Sequence, residues 1–209
     1  MYLDQPLAAY LDALASNAPA PGGGSAAALV GALAAALNSM VANFTVGKEQ
    51  FAGVEATVRD ALAHNEELRA TLSRLVEEDT AAYGKVSSAY RMPRATDAEK
   101  AARTAAIQEA LKSACSVPLA AADCCLRVIE TADTLADSGN PNLISDAGVA
   151  ARLGAAGLAT AALNVEINLV SIKDEAFVKD RRAHLAPMLA RGQELSEAVW
   201  KKVLERIGA

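Results

Sequence analysis

Along the chain, Ala and Leu recur at spacings of three and four, whereas Val, Ile, Tyr and Phe rarely alternate with polar residues. The first spacing matches the 3.6-residue period of a helix and the second would match a strand, so the pattern predicts an all-α protein. A short helix is expected over residues 3–15, then a loop rich in Pro and Gly over 17–24, then a helix opening at Ser25 and ending near Gly47. A long third helix follows over 54–90, and Thr96, with Asp97 and Glu99 behind it, marks the start of a fourth that runs to about residue 137 with a kink at Pro118. The text SGNPNLIS over 138–145 reads as a loop, with Ser145 as N-cap of a fifth helix reaching about Phe177. A last amphipathic helix is expected over 182–207, giving a compact bundle of about six helices in a single domain spanning 1–209.

The second helix changes the picture, because no charge occurs between Ala13 and Gly47 and the run 26–46 has the length of a bilayer span. Its apolar mass is mostly Ala, which drives insertion weakly, and it carries Asn38, Ser39 and Asn43; it is read as a soluble helix buried on nearly all sides, with no membrane partner. Small residues at Gly31, Ala35 and Ala42, and at Gly157 and Ala161, allow close backbone approach, within the bundle or across a dimer interface.

Composition narrows the function classes. Hydrophobic residues make up 52% of the chain but aromatics only 4%, so the core is one of closely packed thin helices. A net charge of −5 argues against a nucleic-acid groove or an anionic membrane surface, both of which need clustered Lys and Arg. Cys115, Cys124 and Cys125 form no Cys-x-x-Cys pair, which fits a reducing cytoplasm, and residues 1–12 lack the basic-then-apolar order of a secretory signal.

Asp79 is the most informative position. At 100° per residue, Leu68, Leu72, Leu75, Tyr83, Val86 and Tyr90 form an apolar stripe on the third helix and Asp79 falls within it, while Glu77 points the other way, toward water. A carboxylate on a face meant for burial must be paired, hydrogen-bonded or kept for chemistry, because an unpartnered buried ion costs several kcal/mol. Desolvation would raise its pKa toward the range useful for proton transfer; equally, a helix end or an Arg would make it purely structural.

Pro21-Gly22-Gly23-Gly24-Ser25 runs straight into the second helix, whose free N–H groups and positive dipole end suit an anion or a carbonyl oxygen. No Walker lysine follows and no strand precedes, so this is not a nucleotide loop; a turn with a cap would read the same way. Asn38, Asn140, Asn142, Asn164 and Asn168 offer the paired donors and acceptors that read a heterocycle's edge, or else satisfy one another. Asp146 suits the dipole of the fifth helix, and Lys48, Arg91, Arg94 and Lys173 are cations near helix ends. His64 and His184 complete no metal-ligand pair, so no metal is expected.

These features fall in one order: PAPGGGSAAALVGALAAALNSMVANFTVGKEQF, EEDTAAYGKVSSAYRMP, SVPLAAA and GNPNLISDAGVAARLGAAGLATAALNVEINLVSIKDEAF. PGGGS, Asp-x-x-x-Tyr, Gly-Asn-x-Asn-x-x-Ser-Asp and Leu-Asn-Val-x-Ile-Asn-Leu together resemble the cyclodeaminase/cyclohydrolase family over nearly the whole chain. That resemblance implies an all-helical homodimer with a tetrahydrofolate derivative as substrate, bound near the subunit interface, and no separate cofactor. It places the acid/base role on Asp79, and Gly22, Gly23, Gly24, Ser25, Asn140, Asp146, Asn164 and Asn168 at the ligand. Asn38, Lys48 and Asn142 join the binding candidates on their positions alone, and Lys48-Glu49 stands where relatives often carry two basic residues. The implied activity is formiminotetrahydrofolate cyclodeamination, with methenyltetrahydrofolate cyclohydrolysis as the alternative. A non-catalytic helical dimer binding a folate or a protein is the rival of another class.

Overall fold

The computed structural model describes residues 2–208, and among them the regular structure is helical throughout. Six α-helices form it: α1 Leu7–Ala15, α2 Gly23–Asn43, α3 Glu55–Tyr90, α4 Asp97–Ser138, α5 Ile144–Val170 and α6 Glu175–Ile207. Short 3-10 turns cover Tyr2–Asp4, Glu49–Val54 and Pro141–Leu143. Helices α2, α3, α4 and α5 pack on one another as the core, α6 lies across α4 and α5, and α1 sits at the edge.

Local chemistry accounts for several boundaries. Thr96 and Glu99 form a reciprocal capping box at the head of α4, as the sequence pattern predicts. The break before α6 lies earlier than expected, because Asp174 accepts the Phe177 N–H at 3.0 Å and starts the helix there, so α5 stops at Val170 rather than near Phe177. Ser145 is not the cap of α5: the helix begins at Ile144 after a turn in which the Asn140 side chain holds the Asn142 N–H at 3.0 Å.

The core is built of small side chains meeting at short range. Gly31 of α2 and Gly157 of α5 close around the Cys125 thiol of α4, and a β-carbon at either would fall 2.6 or 2.8 Å from its sulfur. The small-residue faces thus meet inside one chain. Asn38 is fully buried, donating at 2.9 Å to the Val128 carbonyl of α4 and at 3.2 Å to Asn65 Oδ1 of α3; Asn65 donates in turn to the Ala61 carbonyl at 2.9 Å. This network pins three helices in one register.

Two helices, α2 and the stretch Pro141–Val170, are long and apolar enough to cross a membrane by length and composition. In the bundle each has an inner face in the core. Contrary to burial on nearly all sides, α2 keeps an outer apolar stripe of Ala26, Val30, Leu33, Leu37, Met40 and Phe44, and α5 has one running through Val149, Leu163, Ile167 and Val170. Leu163, Ile167 and Val170 are 69%, 66% and 74% exposed, so one side of the α2–α5 pair is an uncovered apolar face.

Candidate active site

The N-terminus of α2 is aimed at Asp79. Gly23, Gly24 and Ser25 occupy its first turn, where backbone N–H groups have no intrahelical acceptor. Ser25 uses its own to donate to Asp79 Oδ2 at 2.9 Å. Burial pushes the Asp79 carboxyl above its ordinary range, and the Ser25 N–H pulls it partly back. Among the described residues no Lys, Arg or His forms an ion pair with it. The structural alternative of an Arg partner is thereby removed, while the helix-end contact is present.

The glycines serve close approach more than curvature. A β-carbon at Gly24 would stand 2.2 Å from Asp79 Oδ1, and one at Gly23 would stand 3.3 Å from the Asn164 amide. Gly22 has extended backbone and open space around it. The preceding Ala20–Pro21 peptide is cis.

In front of Asp79 lies a cavity of about 370 Å³, within the range of small-molecule sites. Its walls are Pro19, Ala20 and Gly22–Gly24 from the loop and α2; Asp79, Ala82, Tyr83 and Val86 from α3; Leu111 and Ala114 from α4; and Asn164, Ile167 and Asn168 from α5. Asn164 donates one amide proton to the Thr160 carbonyl at 2.9 Å and Asn168 one to the Asn164 carbonyl at 2.8 Å. Each is thus oriented by its own helix and keeps an N–H and a carbonyl oxygen for a ligand. The cavity is an apolar slot with one partly desolvated carboxyl and two oriented amides, a lining that suits a flat heterocycle.

The sequence candidates therefore divide. Asp79, Gly22, Gly23, Gly24, Asn164 and Asn168 line one cavity, and Ser25 stands behind it. Asn38 is not at the site; it is spent on the interhelical network, because a buried amide in a packed core must be satisfied locally. Lys48, Asn140, Asn142 and Asp146 cluster at the other end of α2, where Asn140 donates its backbone N–H to Thr45 Oγ1 at 2.8 Å. That end is about 30 Å from the cavity, since α2 has 21 residues rising about 1.5 Å each. Glu77, expected in water, instead accepts the Tyr2 backbone N–H.

Pro19, Ala20, Leu111, Ala114 and Ile167 also line the cavity, and their side chains carry no chemical signature in the sequence. Tyr83 belongs to the apolar stripe of the helical wheel, yet in the structure it is 46% exposed on the cavity wall. Its position four residues after Asp79 was the available signal. Among the described residues no group of three or more His, Cys, Asp or Glu is placed to hold a metal ion.

Comparison with known proteins gives a consistent picture. The formiminotransferase-cyclodeaminase family model matches residues 6–186. The methenyltetrahydrofolate cyclohydrolase of Methylorubrum extorquens is 48% identical over 198 residues, covering 95% of both chains. The formimidoyltransferase-cyclodeaminase of Rattus norvegicus is 36% identical over 187 residues; the match covers 90% of this chain but only 35% of the rat protein. The crystal structure of formiminotetrahydrofolate cyclodeaminase from Thermotoga maritima superposes with a TM-score of 0.81 at 33% identity, over 99% of this chain and 97% of that one.

Proposed function

The chain belongs to the formiminotransferase-cyclodeaminase family, and from that premise we propose that it is a tetrahydrofolate one-carbon enzyme in which Asp79 moves the proton. The observation that carries this reading is the Asp79 carboxyl itself, partly desolvated at the wall of the cavity, tethered by the Ser25 N–H and flanked by two amides. Both reactions named among the relatives exchange one heteroatom on a carbon bridging two folate nitrogens. In cyclodeamination the anilino nitrogen attacks the formimino carbon, and ammonia leaves as the methenyl bridge closes. In cyclohydrolysis water adds to that bridge and a ring nitrogen leaves. The carbon keeps its oxidation level in each, so proton transfer and positioning suffice and no redox cofactor is called for.

In either direction the incoming nucleophile must lose a proton and the leaving nitrogen must gain one. A carboxyl whose pKa is raised by burial is shifted toward doing both: its anion accepts the first proton and its acid returns it. Asn164 and Asn168 hold the heterocycle's edge while Tyr83 and Val86 supply an apolar wall.

Cyclohydrolysis is favoured by the 48% identity to a cyclohydrolase of matching length. Cyclodeamination is the second reading, favoured by the full-length match to the Thermotoga maritima cyclodeaminase. Parallel assays of the purified protein with methenyltetrahydrofolate and formiminotetrahydrofolate decide between them. Tight folate binding with turnover of neither would select the non-catalytic rival.

We further propose that two copies pair through the uncovered apolar face of α2 and α5. Ile167 belongs both to that face and to the cavity wall, so a second copy seated there would border the site. With a two-fold axis lying in the face and crossing the helices, Lys48, Asn140, Asn142 and Asp146 of one copy would approach the cavity mouth of the other. This would bring to one ligand the residues that a single chain holds apart. The three thiols, all buried and pushed up to about 11 or 12 by desolvation, suit a reducing cytoplasm.

A further inference from the structure

The edge helix α1 has a single buried residue, Tyr10, only 2% exposed, while Leu7 and Leu11 on the same helix face solvent. Its ring meets Tyr2 edge-on at 5.5 Å. Its hydroxyl lies 3.2 Å from Ser25 Oγ, and Ser25 is itself completely buried. Ser25 is the residue whose backbone N–H holds Asp79 Oδ2. A buried hydroxyl pair has to be satisfied from within, and here each is the other's partner.

We propose that Tyr10 is a positioning residue for the Asp79 carboxyl, acting through Ser25. The tyrosine hydroxyl fixes the Ser25 side chain, and with it the first turn of α2, so that the Ser25 N–H stays aimed at Oδ2. The same contact fastens α1 and the loop carrying Pro19 and Ala20, which form the cavity wall beside Asp79. The reading rests on Asp79 being the proton carrier, but the geometry of the relay is separate from it.

The direction of the effect follows from the forces on Asp79. Burial raises its pKa and the Ser25 N–H lowers it, so a looser Ser25 leaves burial less opposed. Among the described residues the titratable groups facing this corner are Tyr2 from the opening turn, Glu77 and Tyr83 from α3, and Tyr10 from α1. The walls supplied by α4 and α5, namely Leu111, Ala114, Asn164, Ile167 and Asn168, hold none. Burial pushes the Tyr10 phenol up, the Ser25 hydrogen bond pulls it partly back, and the Asp79, Tyr2 and Glu77 charges add to the rise, so the phenol keeps its proton across the working range.

The test is the Asp79 carboxyl titration, followed by ¹³C NMR in unliganded protein and assigned by its loss in Asp79→Asn. Tyr10→Phe keeps the ring and deletes the bond; the titration should move upward by about half a pH unit, with kcat falling about three- to tenfold and KM staying within twofold. Ser25→Ala, which keeps the backbone N–H but deletes the same bond, should reproduce that shift, and the double variant should add nothing further. An unmoved titration in either single variant, or additive shifts in the double, would overturn the relay. If Tyr10→Phe fails to fold, Ser25→Ala alone decides. Full turnover by Asp79→Asn would instead sink the proton-carrier reading while leaving the titration result to judge the relay.

Discussion

Gly24 and Asp79 fit so closely that a β-carbon on the first would sit 2.2 Å from a carboxyl oxygen of the second. Helix α2 can point its N-terminus at an acidic side chain on α3 only because its first turn is nearly bare of side chains. The same closeness partly desolvates the carboxyl and raises its pKa, while the Ser25 N–H keeps it in place. Packing and the electrostatics of the carboxyl are here the same fact.

Asp79→Asn keeps the shape and the Ser25 contact but cannot carry a proton. Turnover should fall about 10²–10⁴-fold with KM changed only a few-fold, since acid/base help is lost and positioning is kept. Steady-state kinetics check this, and an equal loss in both parameters would assign Asp79 to binding instead.

The same variant should be more stable than the parent at neutral pH. A carboxyl whose pKa is raised by folding binds its proton more tightly in the folded state, so its contribution is present at low pH and lost as pH rises through the folded value. Thermal melts of both proteins should therefore separate at pH 7, the Asn variant melting higher, and converge below the ordinary carboxylate range. Parallel curves at all pH values would contradict the raised pKa.

Gly24→Ala forces the new methyl onto the Asp79 carboxyl, so either α2 or α3 must shift. Overpacking of this kind costs about 1–3 kcal/mol. Activity should fall with it, because the Ser25 contact is displaced. Gly22→Ala, where nothing lies within 4 Å and the backbone is extended, should leave the melting temperature unchanged.

Asn38→Ala removes a bond to the Val128 carbonyl and another to Asn65, far from the cavity. A loss of about 1–3 kcal/mol is expected for buried groups left unpaired, or several degrees in Tm. KM should not move, and a KM change above about threefold would restore Asn38 to the site.

Leu163→Glu or Ile167→Glu places a charge on the uncovered α5 face. Light scattering should find the parent at two chain masses and the variants at one. A parent that stays single at micromolar concentration would end the pairing proposal.

Sequence periodicity alone established that this is a bundle of six helices, and the wheel position of Asp79 singled out a carboxyl that lines the cavity. Both are local properties: a helix's period and a polar residue's misfit on an apolar stripe are written within a few turns of chain. What only the folded chain decided is company. Asn164 and Asn168 reach the cavity whereas Asn38 is spent in the core and Asn140 sits at the far end, although all four are amides in similar Ala-rich or turn-forming text. Tyr10 carries no signal of a role in the sequence, and only packing sets its hydroxyl against Ser25. Which residues meet across helices depends on the direction and spacing at which those helices pack, and no single segment's pattern contains that.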